Sequence, residues 1–300
     1  MLKSLIRKIP PIAALIAERD SLRKAQGFVP AGHFYSPVIS IEEARKDEGR
    51  IFANMPCTLP GIEMNESGQL ETLAKFEEMY SSIDFPESES STHRYYYENP
   101  YYGYSDAIML HCMMRLKKPR KIIEVGSGYS SAAMLDTNER HLNHSIQFTF
   151  IEPYSDRLNS LILPSDRSSI DIIESRVQDV PVGTFQQLTA GDFLFIDSTH
   201  VSKTGSDVNY LLFDVLPVLN PGVYVHIHDI LFPFEYPKEW VFGGRSWNES
   251  YVLRAFLAFN SQFTIEMMNT YLEHLYPQRF FERMPLCMKN TGGSIWLRRK

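Results

Sequence analysis

The residues that could do chemistry stand at the ends of short apolar runs. Lys121–Val125 is apolar and β-branched, and it leads into Gly126-Ser127-Gly128-Tyr129-Ser130-Ser131. This pattern predicts a buried strand, a tight turn and a helix start, with bare backbone N–H groups open to a ligand. Both glycines are expected to take backbone angles closed to other residues, and the serines to open the helix. A dinucleotide fingerprint needs a third glycine, but Ser131 stands at that place. Glu124 precedes the turn, where a carboxylate repels a pyrophosphate and suits a cationic ligand. Glu152 closes a second apolar run; there it can accept hydrogen bonds from both ribose hydroxyls of a nucleoside. Later runs end at Asp197, with His200 three residues on, and at His226, His228 and Asp229. A free histidine titrates near about 6.5, which suits proton transfer at neutral pH.

The elements that must position these groups alternate. Strands are expected at 122–125, 146–152, 170–173, 193–197, 223–228, 263–268 and 293–297. Helices are expected at 105–116, 131–140, 156–163, 180–188, 208–219 and 251–260. Such alternation predicts an α/β fold, a doubly wound, mostly parallel seven-stranded sheet, with ligands at the carboxyl ends of the strands. Three regions are expected: an arm at 1–26 carrying a helix at 11–25, an extension and lid at 27–104, and the cofactor-binding domain at 105–300. Six tyrosines lie between Arg94 and Tyr104, a packed aromatic wall or a pocket wall beside the ligand. A second aromatic stretch, from Phe232 to Trp247, is broken by proline and glycine and reads as a substrate lid or a cover on the sheet edge, with Arg245 placed to meet an anionic or sugar-like acceptor.

Composition narrows the class. The 300 residues are 44% hydrophobic and 22% charged, ordinary for a globular protein, and can bury a sizeable core. A formal charge of −6 gives no reason to expect nucleic acid as a partner. No apolar run is long enough to span a bilayer. Cys57, Cys112 and Cys287 are scattered, form no metal spacing or disulfide framework, and fit a reducing cytoplasm. The N-terminal arm offers a surface for docking or homo-oligomerisation.

Taken with the closing Gly-Gly-Ser-Ile-Trp-Leu-Arg and with Phe-Ile-Asp-Ser-Thr-His and Tyr-Val-His-Ile-His-Asp, the Glu-Val-Gly-Ser-Gly-Tyr-Ser-Ser stretch resembles class I S-adenosylmethionine-dependent methyltransferases, within them the bacterial macrocin and rhamnosyl O-methyltransferases. The resemblance runs from about 105 to 298, and Gly-His-Phe-Tyr-Ser-Pro at 32–37 extends it. It implies a Rossmann-like methyltransferase fold and S-adenosylmethionine held by Glu124, Gly126, Ser127, Gly128, Tyr129, Ser130, Glu152, Gln178, Asp179 and Asp197. Gln178 matches a glutamine that reads the adenine edge in catechol O-methyltransferases; Asp179 there is equally a helix cap. The resemblance also implies a divalent cation, Mg, Mn or Zn, on Asp197, His228 and Asp229. His228 departs from the family's oxygen ligands and shifts the metal preference. His200, where catechol-type enzymes carry a lysine, is implied as the catalytic base beside Asp197. The implied activity is O-methylation of a small molecule or sugar. An NAD(P)-dependent oxidoreductase and a non-catalytic cofactor-binding module are the alternatives.

Overall fold

Short apolar runs closed by glycine or a polar residue become the strands of one sheet. The computed structural model describes residues 10–25, 27–53 and 55–300; residues 1–9, the start of the expected arm, lie outside them. Among the described residues the strands are β1 (Lys121–Val125), β2 (Gln147–Ile151), β3 (Ile170–Ile173), β4 (Phe193–Ile196), β5 (Tyr224–His228), β6 (Phe263–Met268) and β7 (Ser294–Arg299). They form a seven-stranded sheet in the order β3-β2-β1-β4-β5-β7-β6. β1 pairs in parallel with β2 and β4, β2 with β3, and β4 with β5, while β7 runs antiparallel to both β5 and β6. All four residues of β4 are buried. Strands covered on both faces need continuous apolar sequence, which is why Phe-Leu-Phe-Ile needs no polar alternation.

The order reverses at β1: β2 follows on one side and β4 on the other. A ligand crevice opens at the carboxyl ends on either side of such a switch point. The helices that cover the sheet include Tyr104–Lys117, Tyr129–His141, Asp156–Leu161, Glu249–Leu257 and Asn269–Leu275. The expected helix at 208–219 is wound three ways. Asp207–Tyr210 is α-helical, Leu211–Val215 is a π turn and Leu216–Val218 a 3-10 turn. Pro217 has no N–H to bond back four residues, so the regular ladder cannot pass through it. The expected helix at 180–188 shortens to Val182–Phe185, opened by Pro181 rather than by Asp179.

Contacts divide the chain into two compact units, and the division is not at 104/105. The sheet unit comprises Pro56–Tyr236 and Trp247–Lys300. Its core takes in Leu73 and Phe76 from helix Glu66–Tyr80 and four of the six clustered tyrosines: Tyr95, Tyr97, Tyr102 and Tyr104. The rings of Tyr97 and Tyr104 stack 4.5 Å apart. Packing therefore accounts for most of that cluster, leaving Tyr96 partly exposed and Tyr101 58% exposed. Phe232, Phe234 and Tyr236, read as part of a substrate lid or a cover on the sheet edge, are also buried here.

The second unit gathers the described residues of Met1–Met55 with Pro237–Ser246. Its helices are Pro10–Ala25, Ile41–Lys46, Glu48–Phe52 and Lys238–Phe242. Arg45 lies 4.2 Å over the Phe242 ring, Phe52 meets that ring edge-on, and Lys238 pairs with Glu48 at 3.3 Å. Ser40 caps helix Ile41–Lys46 by accepting from the Glu43 N–H. Arg245, anticipated at an acceptor site, lies over Trp240 at 4.5 Å.

Candidate active site

The first glycine of the turn is fixed by its surroundings. Gly126 has φ +79, and a Cβ added there would meet the Asp197 carbonyl oxygen at 1.8 Å. Its N–H donates to the Ile151 carbonyl at 3.0 Å, and the Asp197 N–H donates to Val125 at 2.8 Å. The turn is thus sewn between the ends of β2 and β4. Gly128 differs from expectation: its φ of 179 is extended backbone that any residue adopts. A Cβ on it would touch only the Arg157 side chain, at 3.1 Å.

Helix Tyr129–His141 begins directly after the turn. The Gly128 N–H donates to Ser131 Oγ at 3.0 Å, and Ser130 Oγ donates to Glu124 at 2.6 Å. Ser131 Oγ donates to the other Glu124 oxygen. Glu124 is fully buried, and burial pushes its carboxyl up to about 8, against the pull of these serines. It was expected to face a cationic ligand. The structure gives its oxygens to Ser130 and Ser131. Glu152 stands on the other side of the turn, partly buried. Its Oε2 accepts from the Ser127 N–H at 3.1 Å and its Oε1 from the Tyr154 N–H at 2.8 Å.

Around the rim, Tyr129 OH lies 3.2 Å from Tyr96 OH, and its ring stacks on Tyr101. The Arg157 guanidinium lies 3.9 Å over Tyr101 and forms no ion pair among the described residues. Gln178 is partly buried and donates its amide to the Gly205 carbonyl at 3.0 Å, so its own carbonyl faces elsewhere. Asp179 does not join the group: it is exposed and paired with Arg176 in its own turn.

Beyond β4 and β5 the acids and imidazoles gather. His200 is 5% exposed, not a surface residue. Its Nε2 lies 3.4 Å from Asp197 Oδ1 and 3.6 Å from Asp229 Oδ2. Its Nδ1 lies 2.9 Å from Glu249 Oε2. Glu249, 1% exposed, opens helix Glu249–Leu257. His228 Nε2 lies 3.6 Å from Asp229 Oδ1. Both His200 (φ +61) and Asp229 (φ +56) sit in the left-handed region that L residues avoid. Trp247 covers the His200 ring at 4.4 Å, and Tyr236 meets Trp247 edge-on.

The charges set each other. Burial opposes charge on His200, but hydrogen bonds to Asp197 and Glu249 outweigh it and raise its pKa to about 10. Burial likewise works against Asp197 and His228. His228 and His200 nonetheless hold the Asp197 carboxyl below its ordinary value, and Asp229 and Asp197 hold His228 above its own. The resting imidazole of His200 is therefore a cation at neutral pH, not the neutral base that the free side chain predicts. His226 is buried, with both ring nitrogens lacking a hydrogen-bond partner among the described residues, and burial drives its pKa far down. It is a stacked core ring, 3.9 Å from Phe195.

Sequence reading missed Glu249. An acid in the first turn of a helix after an asparagine reads as a dipole partner; nothing local ties it to a histidine 49 positions earlier. It also missed Asp207, which pins the loop by accepting from the Thr199 N–H at 2.9 Å and from its hydroxyl at 2.7 Å.

A mostly parallel sheet in this order, with β7 alone reversed and a glycine turn after β1, is the class I methyltransferase architecture. Residues 123–230 match the family described as a methyltransferase domain. An uncharacterised protein of Archaeoglobus fulgidus is 33% identical over 170 residues, which is 55% of this chain and 76% of that protein. This chain belongs to the class I S-adenosylmethionine-dependent methyltransferase family. Among solved structures, the O-methyltransferase TomG of Streptomyces achromogenes, in complex with SAM, is 16% identical, with 77% of this chain and 90% of that chain covered and a TM-score of 0.41. The SAH-bound methyltransferase of Podospora anserina is 15% identical, with 86% and 96% covered and a TM-score of 0.40. Among the described residues, no helix is long and apolar enough to cross a membrane.

Proposed function

We propose that this chain binds S-adenosylmethionine at the glycine turn and methylates a hydroxyl of a small molecule or sugar. The observation that supports this best is the pair of carboxylates, Glu152 and Asp197, flanking that turn. Acids on both sides suit a ligand with a sulfonium and an ammonium, and repel a pyrophosphate. Glu152 takes the ribose hydroxyls, Gln178 the adenine edge, and Asp197 the ammonium. When bound, the cofactor supplies an electrophilic methyl group that an acceptor oxygen takes in line, leaving a neutral thioether. His200 Nε2 receives the proton of the acceptor hydroxyl. To do so it must first lose its own proton, which Asp197 and Glu249 hold in place. An ammonium on Asp197 engages one of those two counter-charges and eases that loss.

The residues anticipated for a metal do not form a ligand set: no group of three or more His, Cys, Asp or Glu among the described residues is placed to hold an ion. Asp197 and Asp229 face imidazoles instead, and no step here is routed through a cation.

Calorimetric titration with S-adenosylmethionine tests the reading. Saturable binding is expected, weakened about ten- to a hundredfold in Asp197→Ala, the scale of one charge-assisted hydrogen bond. No binding by folded protein, or binding of a nicotinamide nucleotide instead, rejects it.

A further inference from the structure

The loop after β4 and the start of helix Glu249–Leu257 are joined at His200. The His200 carbonyl accepts from both the Asn248 and the Glu249 N–H groups, each at 3.1 Å. Asn248 and Ser202 exchange two further bonds: the Ser202 N–H donates to Asn248 Oδ1 at 2.6 Å, and Asn248 Nδ2 donates to the Ser202 carbonyl at 3.1 Å. Ser198 Oγ lies 3.4 Å from Glu249 Oε1, on the oxygen that His200 does not use. These contacts hold the His200 backbone in its left-handed conformation. They leave its ring one orientation, with Nδ1 on Glu249 and Nε2 toward Asp197 and Asp229.

From this geometry we infer that Glu249 is the positioning residue of the site: by accepting from Nδ1–H it fixes the ring so that Nε2 alone is presented to the acceptor. Without that bond the imidazole can flip, and the nitrogen facing the acceptor is no longer defined. The inference deepens the methyltransferase reading and rests on it. Glu249 itself is buried and too far back to touch a ligand. It acts through His200, as the orienting carboxylate of a nucleophile–base–acid relay acts through its histidine. The carboxylate comes from a helix start, where burial pushes its pKa up and the hydrogen bond to His200 pulls it back.

The test needs no acceptor. In protein labelled with 15N-histidine, wild type should show a strongly downfield ring proton, absent from His200→Gln, which assigns it to that ring, and its correlation to the ring nitrogens should place it on Nδ1. In Glu249→Gln, which keeps size and shape, this signal should be lost or move markedly upfield, while affinity for S-adenosylmethionine by calorimetry stays within about twofold of wild type. Adding S-adenosylmethionine to wild type should shift the Nε2 nitrogen and leave the Nδ1 proton in place; in Glu249→Gln both should move. A signal unchanged in Glu249→Gln overturns the inference. Should that variant fail to fold, wild type alone decides, because absence of the downfield proton overturns it as well. If wild type shows the signal but binds no S-adenosylmethionine, the functional reading falls, and Glu249 keeps its bond but loses its role.

Discussion

Two glycines that look alike in the sequence have different physical duties. Gly126 carries a positive φ and abuts a carbonyl; Gly128 does neither. Gly126→Ala should cost at least about 1–2 kcal/mol from backbone strain alone, plus the displacement of the Asp197 carbonyl, and should abolish cofactor binding. Gly128→Ala should leave both stability and binding close to wild type, since only the Arg157 side chain need move. Urea unfolding and calorimetry on the two variants would decide this, and equal losses would contradict it. His200 is the other residue whose surroundings change its chemistry. A base held protonated by its neighbours gains activity as protons are removed, so the methyl-transfer rate should rise with pH on the alkaline side of neutrality. His200→Ala should lower the rate about 10²- to 10⁴-fold and erase that rise. A rate flat from neutral to alkaline pH in wild type would remove His200 as base.

Elements were more legible than contacts. The central parallel strands announce themselves because a strand buried on both faces is a largely apolar run, and β1, β2, β4 and β5 end where Gly126, Glu152, Asp197 and Asp229 interrupt them. Strand-end logic also placed Glu152, Asp197 and His200 on one edge of the sheet. Three features stayed hidden. The direction of β7 depends on pairing partners, not on its own residues. Winding across 207–218 follows from one missing N–H at Pro217 and the packing around it. The Glu249–His200 bond exists only because a loop and a helix start lie side by side. That junction predicts its own weakness: Asn248→Ala removes two bonds to Ser202, should cost about 1–3 kcal/mol, and should speed limited proteolysis within 198–207. Unaltered cleavage would show that the loop is held by other means.

For the molecule as a whole, buried acids tie stability to pH. Burial raises Glu124 and Glu273 from the ordinary 4.5 to about 8, with hydrogen bonds from serines opposing the rise in both. Ser105 donates to one Glu273 oxygen at 2.9 Å, and the other has no partner among the described residues. A carboxyl whose folded pKa is raised binds its proton more tightly in the native state. Its contribution is complete below the unfolded value and is lost as pH climbs through about 8. The urea midpoint should therefore fall between roughly pH 5 and pH 8, and Glu273→Gln, which keeps the Ser105 contact without the charge, should reduce that fall. A midpoint level across this range would count against both burials.

The chain leaves the sheet unit after Tyr236 and returns at Trp247, and those two rings meet at 6.1 Å. Exit and re-entry are thus neighbours, like the two sides of a cloning site. The ten residues between them carry helix Lys238–Phe242, so exchanging them for the equivalent stretch of a relative cuts no strand but must keep a partner for Arg45, Phe52 and Glu48. Because Trp247 rests on the His200 ring, such an exchange would anchor foreign sequence within a few ångströms of the proposed chemistry, making this a natural place to graft new acceptor preference onto an unchanged cofactor site.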